Sequence, residues 1–286
     1  MGNVFTNAKA VEMTVEEYNA APQLRRSAAW TRFDKGPEIY EATHVTGTIP
    51  SEETQALRMG TWIHYGVLEP DVWEDLARPV KLPTKRSKSW SEHEEECKAA
   101  GKIALLQSEH DQVAAVTNAF RRCKRAQHWL ETADAIEKTI VAEANVAGQV
   151  IGVKARLDIR RRGAVIDLKS TAEPTPESFG KSITSYGYWY QAAWYLMAEA
   201  AASDMDVEEL TFVALAVEKT EPHRVAIYEL GPEWWMPGVD AVRWTLEQLA
   251  REQEAGTWVS EWNGRPTMLV PPPWFESFVS DRTGGA

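Results

Sequence analysis

Three residues near the middle of the chain have the types and spacing of a divalent-metal site. Asp158 lies in one run of alternating apolar and charged residues, and Asp167 and Lys169 lie in a second run that follows Arg162-Gly163. Alternation with a period of two predicts β-strands, and a two-residue turn at Arg162-Gly163 predicts that they form a hairpin.

The predicted register brings the two acidic residues together. Counting back from the turn, Arg161 pairs with Ala164, and Asp158 then lies opposite Asp167. Like charges in opposite positions destabilise a sheet, so this pair calls for a cation. Two carboxylates and the backbone carbonyl of Leu168 form the hard oxygen site that Mg²⁺ accepts while it keeps several waters, one of which could act as a nucleophile.

Asp158 and the string Asp167-Leu168-Lys169 resemble the core of the PD-(D/E)XK nuclease superfamily, in which a hairpin carries Asp and then Asp/Glu-x-Lys. The resemblance implies an α/β (α+β), restriction-endonuclease-like fold. The periodicity around the hairpin predicts a mixed central sheet of about five strands, flanked by helices. The strands are expected at 136–141, 153–160, 164–169, 210–217 and 225–230.

Helical signals surround this sheet. Thr14 and Glu17 have the spacing of a capping box, which predicts a short helix in a helical N-terminal part. Apolar positions from Ser91 to Thr132, Ile103 among them, predict two helices, and Pro237 is suited to open a long amphipathic helix. We interpret residues 1–279 as a single domain and 280–286 as a disordered tail.

The composition restricts the class of protein. The chain has 286 residues, 44% of them hydrophobic, and a net charge of -11, which is the wrong sign for a protein that coats itself in nucleic acid. Cys97 and Cys123 are its only cysteines, which excludes a four-cysteine iron-sulfur cluster. Without a long apolar run or a signal-peptide pattern, we expect a cytoplasmic location, in a bacterial host cell.

Two further residues are candidate metal ligands. His64 lies one helical turn after Gly60, and imidazole is a common ligand, although a histidine in an apolar helix is more often a packed core residue. Glu137, on the strand before the hairpin, could point at the metal or remain on the surface. The pattern alone leaves both readings open.

Several other residues are candidates for DNA binding. Arg25 and Arg26 stand at a helix start that Ser27 is expected to cap, where an anion is favoured, although a solvated basic pair is the simpler reading. Gln191 and Tyr195 share a face of an aromatic helix. The remaining candidates lie in a polar loop and could equally be solvated: Lys81, Lys85, Arg86 and Lys88.

The motifs in combination resemble the RecE-type exonuclease VIII nuclease domain, within the RecB-like branch of the superfamily. The matching strings, in chain order, are Gly60-x-x-x-His64, Asp158, Asp167-x-Lys169 and Gln191-x-x-x-Tyr195. The resemblance implies a Mg²⁺-dependent exonuclease on double-stranded DNA, 5′ to 3′, that leaves 3′ single strands for an annealing protein. Mn²⁺ is expected to substitute for Mg²⁺.

Two alternatives stay open: a structure-specific endonuclease on the same core, and a non-catalytic protein that binds DNA ends. The charge of -11 also predicts a homo-oligomeric ring of three or four subunits, because closure can turn basic loops toward a channel. The basic residues between Arg121 and Arg125 would line that channel together with the polar loop.

Overall fold

The predicted hairpin lies at the centre of a mixed sheet. We describe residues 2–50 and 54–283 in a computed structural model of the chain. The strands are β1 (Phe5–Val11), β2 (Leu24–Arg25), β3 (Ala77–Val80), β4 (Ile103–Leu106), β5 (Ala135–Val146), β6 (Gln149–Arg161), β7 (Ala164–Thr171), β8 (Thr211–Glu218) and β9 (Val225–Leu230).

Helices cover both faces of the sheet. They are α1 (Val15–Ala20), α2 (Arg26–Lys35), α3 (Pro37–Tyr40), α4 (Gln55–Leu68), α5 (Pro70–Leu76), α6 (Lys88–Ala99), α7 (Gln107–Arg122), α8 (Lys124–Glu131), α9 (Pro176–Ser185), α10 (Tyr188–Ser203), α11 (Pro232–Ala255) and α12 (Phe275–Thr283). A π-helical turn spans Glu41–Val45 and a 3₁₀ turn Val207–Glu209. In the described ranges, no helix has the length and apolar character needed to cross a membrane.

The main sheet has seven strands in the described part of the chain, in the order β1-β5-β6-β7-β8-β9, with β2 paired to β6. The β7–β8 and β2–β6 pairs are parallel and the others are antiparallel. The five predicted strands are therefore confirmed. The additional strands β1 and β2 come from the segment that was expected to be helical.

Two hydrophobic cores sandwich the sheet. One core packs α10 and α11 against one face, around Tyr190, Trp194 and Leu246. The other packs α4 and α7 against the opposite face, around Ile63 and Phe120. Because β7 is buried on both faces, its side chains contribute to both cores, with Val165 in the first and Ile166 in the second.

The strand β6 has a gap along one edge. It pairs with β2 only at Val153 and Lys154, and with β7 only from Ile159 to Arg161. Among the described residues, the segment 155–158 between these pairings therefore has no neighbouring strand on this edge. The gap leaves room for side chains and for a ligand in the middle of a sheet.

The side-chain alternation of β6 is interrupted beside this gap. Leu157 packs in the first core and Ile159 in the second, although residues two apart on a regular strand share a face. On β5, Glu137 has a left-handed φ of 51° and stands between the paired residues Ile136 and Lys138. The two strands are thus distorted at the same level of the sheet.

Several helix boundaries differ from the predictions. The Thr14 capping box is confirmed. Ser27 does not cap α2, which begins one residue earlier at Arg26. Pro237 lies inside α11, whose first turn holds Pro232 instead. The two helices expected from Ser91 to Thr132 are three, and they are separated in part by the strand β4, which includes Ile103.

The C-terminal part of the chain forms a helix over Phe275–Thr283, so the tail predicted from residue 280 begins within α12. Residues 284–286 lie outside the described residues.

Helices α10 and α11 pack closely at Gly238. A Cβ at this position would lie 2.7 Å from Ala193 Cβ and 2.8 Å from the Trp189 carbonyl oxygen. We expect Gly238→Ala to destabilise the protein by about 1–3 kcal/mol, as overpacking does, despite the better helix propensity of alanine. Urea unfolding monitored by circular dichroism measures the change.

Gly180, inside α9, is the matched control because a Cβ added there would meet no other atom within 4 Å. Gly180→Ala should stabilise by about 0.5–1 kcal/mol. Equal effects of the two substitutions would contradict the close packing of α10 on α11.

Candidate active site

Asp158 lies where the β6–β7 ladder ends. Its Oδ2 accepts a hydrogen bond of 2.8 Å from the Leu168 backbone N–H, so the carboxylate takes the place of a strand partner. The predicted register is confirmed for Arg161 with Ala164, but the expected pairing of Asp158 with Asp167 does not form. The two strands separate before that level, and this separation creates the site.

Helix α4 brings His64 to the same point. His64 Nε2 lies 2.8 Å from the Leu168 carbonyl oxygen, and Nδ1 lies 3.6 Å from Asp158 Oδ2. A carbonyl can only accept, so Nε2 carries the proton and the Nδ1 lone pair faces the carboxylate. Burial, followed by the charge of Lys169, lowers the pKa of His64 and favours this neutral form.

Glu137 lies together with His64 and Asp158 in a cluster of candidate metal ligands, which we call the acidic group. Single ligand atoms of His64, Glu137 and Asp158 all lie within 4.8 Å of one another. Burial, and then the charge of Asp158, raises the pKa of Glu137 to about 7. Burial, and then the charge of Asp167, raises the pKa of Asp158 to about 8. For both carboxylates, burial and the neighbouring negative charge outweigh the hydrogen bonds and positive charges around them.

Asp167 belongs to a chain of polar contacts on the α10 side of the sheet. Its Oδ2 forms an ion pair with Lys169 Nζ, and its Oδ1 accepts a hydrogen bond of 3.0 Å from Gln191 Nε2. Gln191 Oε1 in turn accepts one of 2.8 Å from Arg26. Lys169 Nζ also lies 4.8 Å from the centroid of the Tyr188 ring. These contacts fix the lysine and the amide in one orientation.

An open pocket of about 280 Å³ lies over the acidic group. His64, Glu137 and Asp158 form one part of its wall, and basic and hydroxyl side chains form the rest: Arg25, Arg26, Arg156, Tyr18, Ser27 and Tyr195. The pocket thus places metal-ligand types beside arginines, an arrangement that suits a phosphate group bound to a cation.

The polar loop lies elsewhere. Lys85 pairs with Glu109 at 2.7 Å and lies over the rings of Trp62 and Trp90, so it has a structural partner. Trp62 is two residues from His64 on α4, which places the loop on roughly the opposite side of that helix. Lys81 and Arg86 are exposed, and Lys88 pairs with Glu92 at 3.4 Å. None of these four basic residues lines the pocket.

Sequence reasoning assigned no role to two residues of the pocket. Arg156 lies two residues before Asp158 on β6, and Tyr18 lies on the short helix α1. The spacing of Arg156 to Asp158 was the one signal in the sequence, because residues two apart on a strand share a face. Nothing in the local pattern relates α1 to the hairpin.

The residues at the site fit a divalent cation. Glu137, Asp158 and the Leu168 carbonyl supply oxygen, and His64 supplies a nitrogen, a set that suits a hard or borderline ion. The observation that favours a cation is the close approach of the Glu137 and Asp158 carboxylates and His64, within 4.8 Å of one another, since a cation would offset the cost of burying these charges and their repulsion. Asp167 lies outside this cluster of ligand atoms, and its two oxygens contact Lys169 and Gln191.

The sheet order, the hairpin and the Asp158, Asp167-x-Lys169 constellation define a PD-(D/E)XK fold. Residues 27–261 match the family model described as PDDEXK-like domain of unknown function (DUF3799), and the chain belongs to that family. The predicted superfamily and fold are thereby confirmed.

A solved structure has the same fold. The crystal structure of a "Putative exonuclease" from Eubacterium rectale covers 96% of this chain and 100% of its own, at 15% identity and a TM-score of 0.58. That of SSO0001 covers 61% of this chain and 74% of its own, at 17% identity and a TM-score of 0.29, which is too low to support an argument. No curated protein matches the sequence.

The raised pKa of Asp158 has a consequence for stability. Its pKa is about 8 in the folded protein and ~3.9 in an unfolded chain. The folded state therefore binds more protons between these values, and stability falls as pH rises through that window. We expect metal-free Asp158→Asn to melt about 2 °C or more above the wild type at pH 8, with a smaller difference at pH 5.

Thermal melts in EDTA at the two pH values measure this difference. Asp75→Asn is the control, because the hydrogen bond from Lys102 lowers the pKa of Asp75. Removing the charge of this carboxylate should therefore give no gain in melting temperature at pH 8. If the Asp158 variant gains nothing at pH 8, the carboxylate is not the destabilising group described above.

Proposed function

We propose that this protein is a divalent-metal-dependent deoxyribonuclease that degrades double-stranded DNA from its ends. The observation that carries the proposal is the juxtaposition of His64, Glu137 and Asp158, within 4.8 Å of one another, with a pocket wall that contains arginines. A phosphodiester next to a cation is the ligand that satisfies both parts of this pocket. The PD-(D/E)XK fold supports the same chemistry.

Asp158, Glu137, His64 and the Leu168 carbonyl would hold the ion, with Asp167 as a further ligand. Mg²⁺, or Mn²⁺ in its place, would supply Lewis acidity toward the phosphate and would make a water nucleophile available at neutral pH. In neutral His64 the Nδ1 lone pair is available to bind the ion, while the Nε2–H donates to the Leu168 carbonyl and orients it.

Lys169 and Gln191 contact Asp167 on the α10 side of the sheet. The ammonium of Lys169 pairs with Asp167 and is mostly buried, so its charge can stabilise the charge that develops on a phosphate in the transition state. Gln191 links Asp167 to Arg26 and so relates the position of a bound phosphate to the catalytic carboxylate. Tyr195 and Arg25 complete the wall along which a DNA backbone would lie.

The RecE-type motifs support the more specific part of the proposal: digestion in the 5′ to 3′ direction that leaves 3′ single strands for a partner annealing protein. An end-acting enzyme needs a free terminus, whereas a structure-specific endonuclease does not. Linear and circular duplex DNA therefore distinguish the two.

We expect linear duplex with a 5′ label to lose the label early, only with Mg²⁺ or Mn²⁺, and closed circular duplex to survive. Asp158→Asn and Asp167→Asn should abolish cleavage, and Lys169→Ala should reduce the rate by about 10² or more, as expected for loss of a charge-stabilising group. Gel analysis of end-labelled products measures both.

The variant Gly180→Ala serves as a folded control for these assays, since Gly180 does not line the pocket and has free space around it. Near-normal digestion by either aspartate variant would refute the proposed site. Cleavage of circular DNA would favour the endonuclease, and binding without cleavage by the wild type would favour an end-binding protein.

The acidic chain also leads us to propose a ring of three or four subunits. Among the described residues, the exposed Arg121, Arg122, Lys124 and Arg125 form a basic cluster where α7 meets α8, and they could face a channel together with Lys81 and Arg86. We expect light scattering to give a trimer or tetramer, and DNA affinity to fall by several log units per log unit of salt. A monomer that digests a few nucleotides per encounter would contradict the ring.

A further inference from the structure

Arg156 lies between the acidic group and helix α1. Its Nε donates a hydrogen bond of 2.6 Å to Glu137 Oε2, and its NH1 donates one of 2.9 Å to the backbone carbonyl of Met13. A third, longer contact of 3.4 Å joins NH1 to Thr139 Oγ1. The side chains of Arg156 and Glu137 are each 15% exposed, so this ion pair is largely withdrawn from solvent.

The sheet determines where this pair stands. Arg156 is paired with Thr139, and continuing that register places Glu137 opposite Asp158. The guanidinium reaches diagonally across the two strands to Glu137, within the distance that a long side chain can span. Because Met13 immediately precedes the capping residue of α1, the arginine is held at one end by the chain segment that leads into the pocket wall.

The conformation of Glu137 requires such support. A left-handed φ of 51° is uncommon for glutamate and persists only where the surroundings hold it. The hydrogen bond from Arg156 is made to Oε2 alone, which leaves Oε1 for another partner. One carboxylate oxygen is thus fixed by the protein while the other can face a cation.

We propose that Arg156 is a positioning residue that holds Glu137 as a ligand of the divalent cation. This inference rests on the proposed metal site and adds to it the group that orients one of its ligands. A hydrogen-bond partner behind a ligand sets the ligand's direction, and its loss typically weakens metal binding by about 10–100-fold.

The alternative role for Arg156 is that of a simple counter-ion. The two roles predict opposite changes in metal affinity when Arg156 is removed. The positive charge of Arg156 by itself repels a second cation, so its removal would strengthen metal binding if the guanidinium only balanced the charge of Glu137. If Arg156 positions Glu137, its removal weakens metal binding.

The test is the affinity of the full chain for Mn²⁺, measured by isothermal titration calorimetry in the absence of DNA. We expect Arg156→Met to weaken binding by about tenfold or more. Arg160→Met is the matched control, because Arg160 lies on the same strand and makes an equivalent ion pair of 2.7 Å with buried Glu199, away from the pocket. It should bind Mn²⁺ as the wild type does, whatever its melting temperature.

A double variant shows whether Arg156 acts through Glu137. In a Glu137→Gln background, Arg156→Met should cause no further loss of Mn²⁺ affinity, and an undiminished further loss would overturn the inference. Wild-type or tighter binding by Arg156→Met would also overturn it. If that variant does not fold, Arg156→Lys decides: weaker binding supports the positioning role, and unchanged binding refutes it.

Failure of this inference is distinguishable from failure of the proposed function. If the wild type binds no Mn²⁺, or if Asp158→Asn binds it equally well, the metal site itself is wrong and the inference falls with it. If Mn²⁺ binding depends on Asp158 but not on Arg156, only the positioning role is lost.

Discussion

Acidic side chains are buried where the central sheet is interrupted, and their unfavourable electrostatics constrain the structure around them. Asp158 and Asp167 are 8% and 1% exposed, and burying a carboxylate charge is costly unless the charge is paired and hydrogen-bonded. The fold meets this cost in different ways on the two sides. Lys169 neutralises Asp167 directly, whereas Asp158 has a backbone N–H and a neutral imidazole, neither of which supplies a positive charge. The asymmetry leaves one side of the site in need of a cation.

The local charges of the pocket explain how a protein with a net negative charge could bind a polyanion such as DNA. The chain has a net charge of -11, but interactions between exposed charges are screened beyond about 8–10 Å in physiological salt. What a phosphate meets at close range is the local wall of the pocket, which holds Arg25, Arg26 and Arg156. A bound divalent cation would add to this local positive field. Because charges elsewhere on the surface are screened at the pocket, the overall charge has little influence on phosphate binding there.

The site was predictable from the sequence as far as local patterns determine it. The hairpin register, the shared face of Gly60 and His64, and that of Gln191 and Tyr195 all follow from strand and helix periods. The position at which β6 and β7 separate does not follow from these periods. It depends on how β2 and β7 divide the same edge of β6, and these pairings join segments that are distant in sequence. The helical prediction at β4 is wrong for a related reason: four residues are too few to establish a period, and pairing with β3 decides their conformation.

Glu137 shows why the remaining part of the site needed the structure. A regular β5 would give its side chain one of two faces, and the sequence could not choose between metal site and surface. The left-handed backbone at Glu137 and the interrupted alternation between Leu157 and Ile159 occur at one level of the sheet. A strained backbone lowers the stability of the fold. Burial of apolar side chains in the two cores, around Trp194 on one face of the sheet and Phe120 on the other, offsets this loss. The carboxylates of Glu137 and Asp158 are therefore held on packed strands and His64 on a packed helix, and sites built on such elements hold their side chains more precisely than sites built on loops.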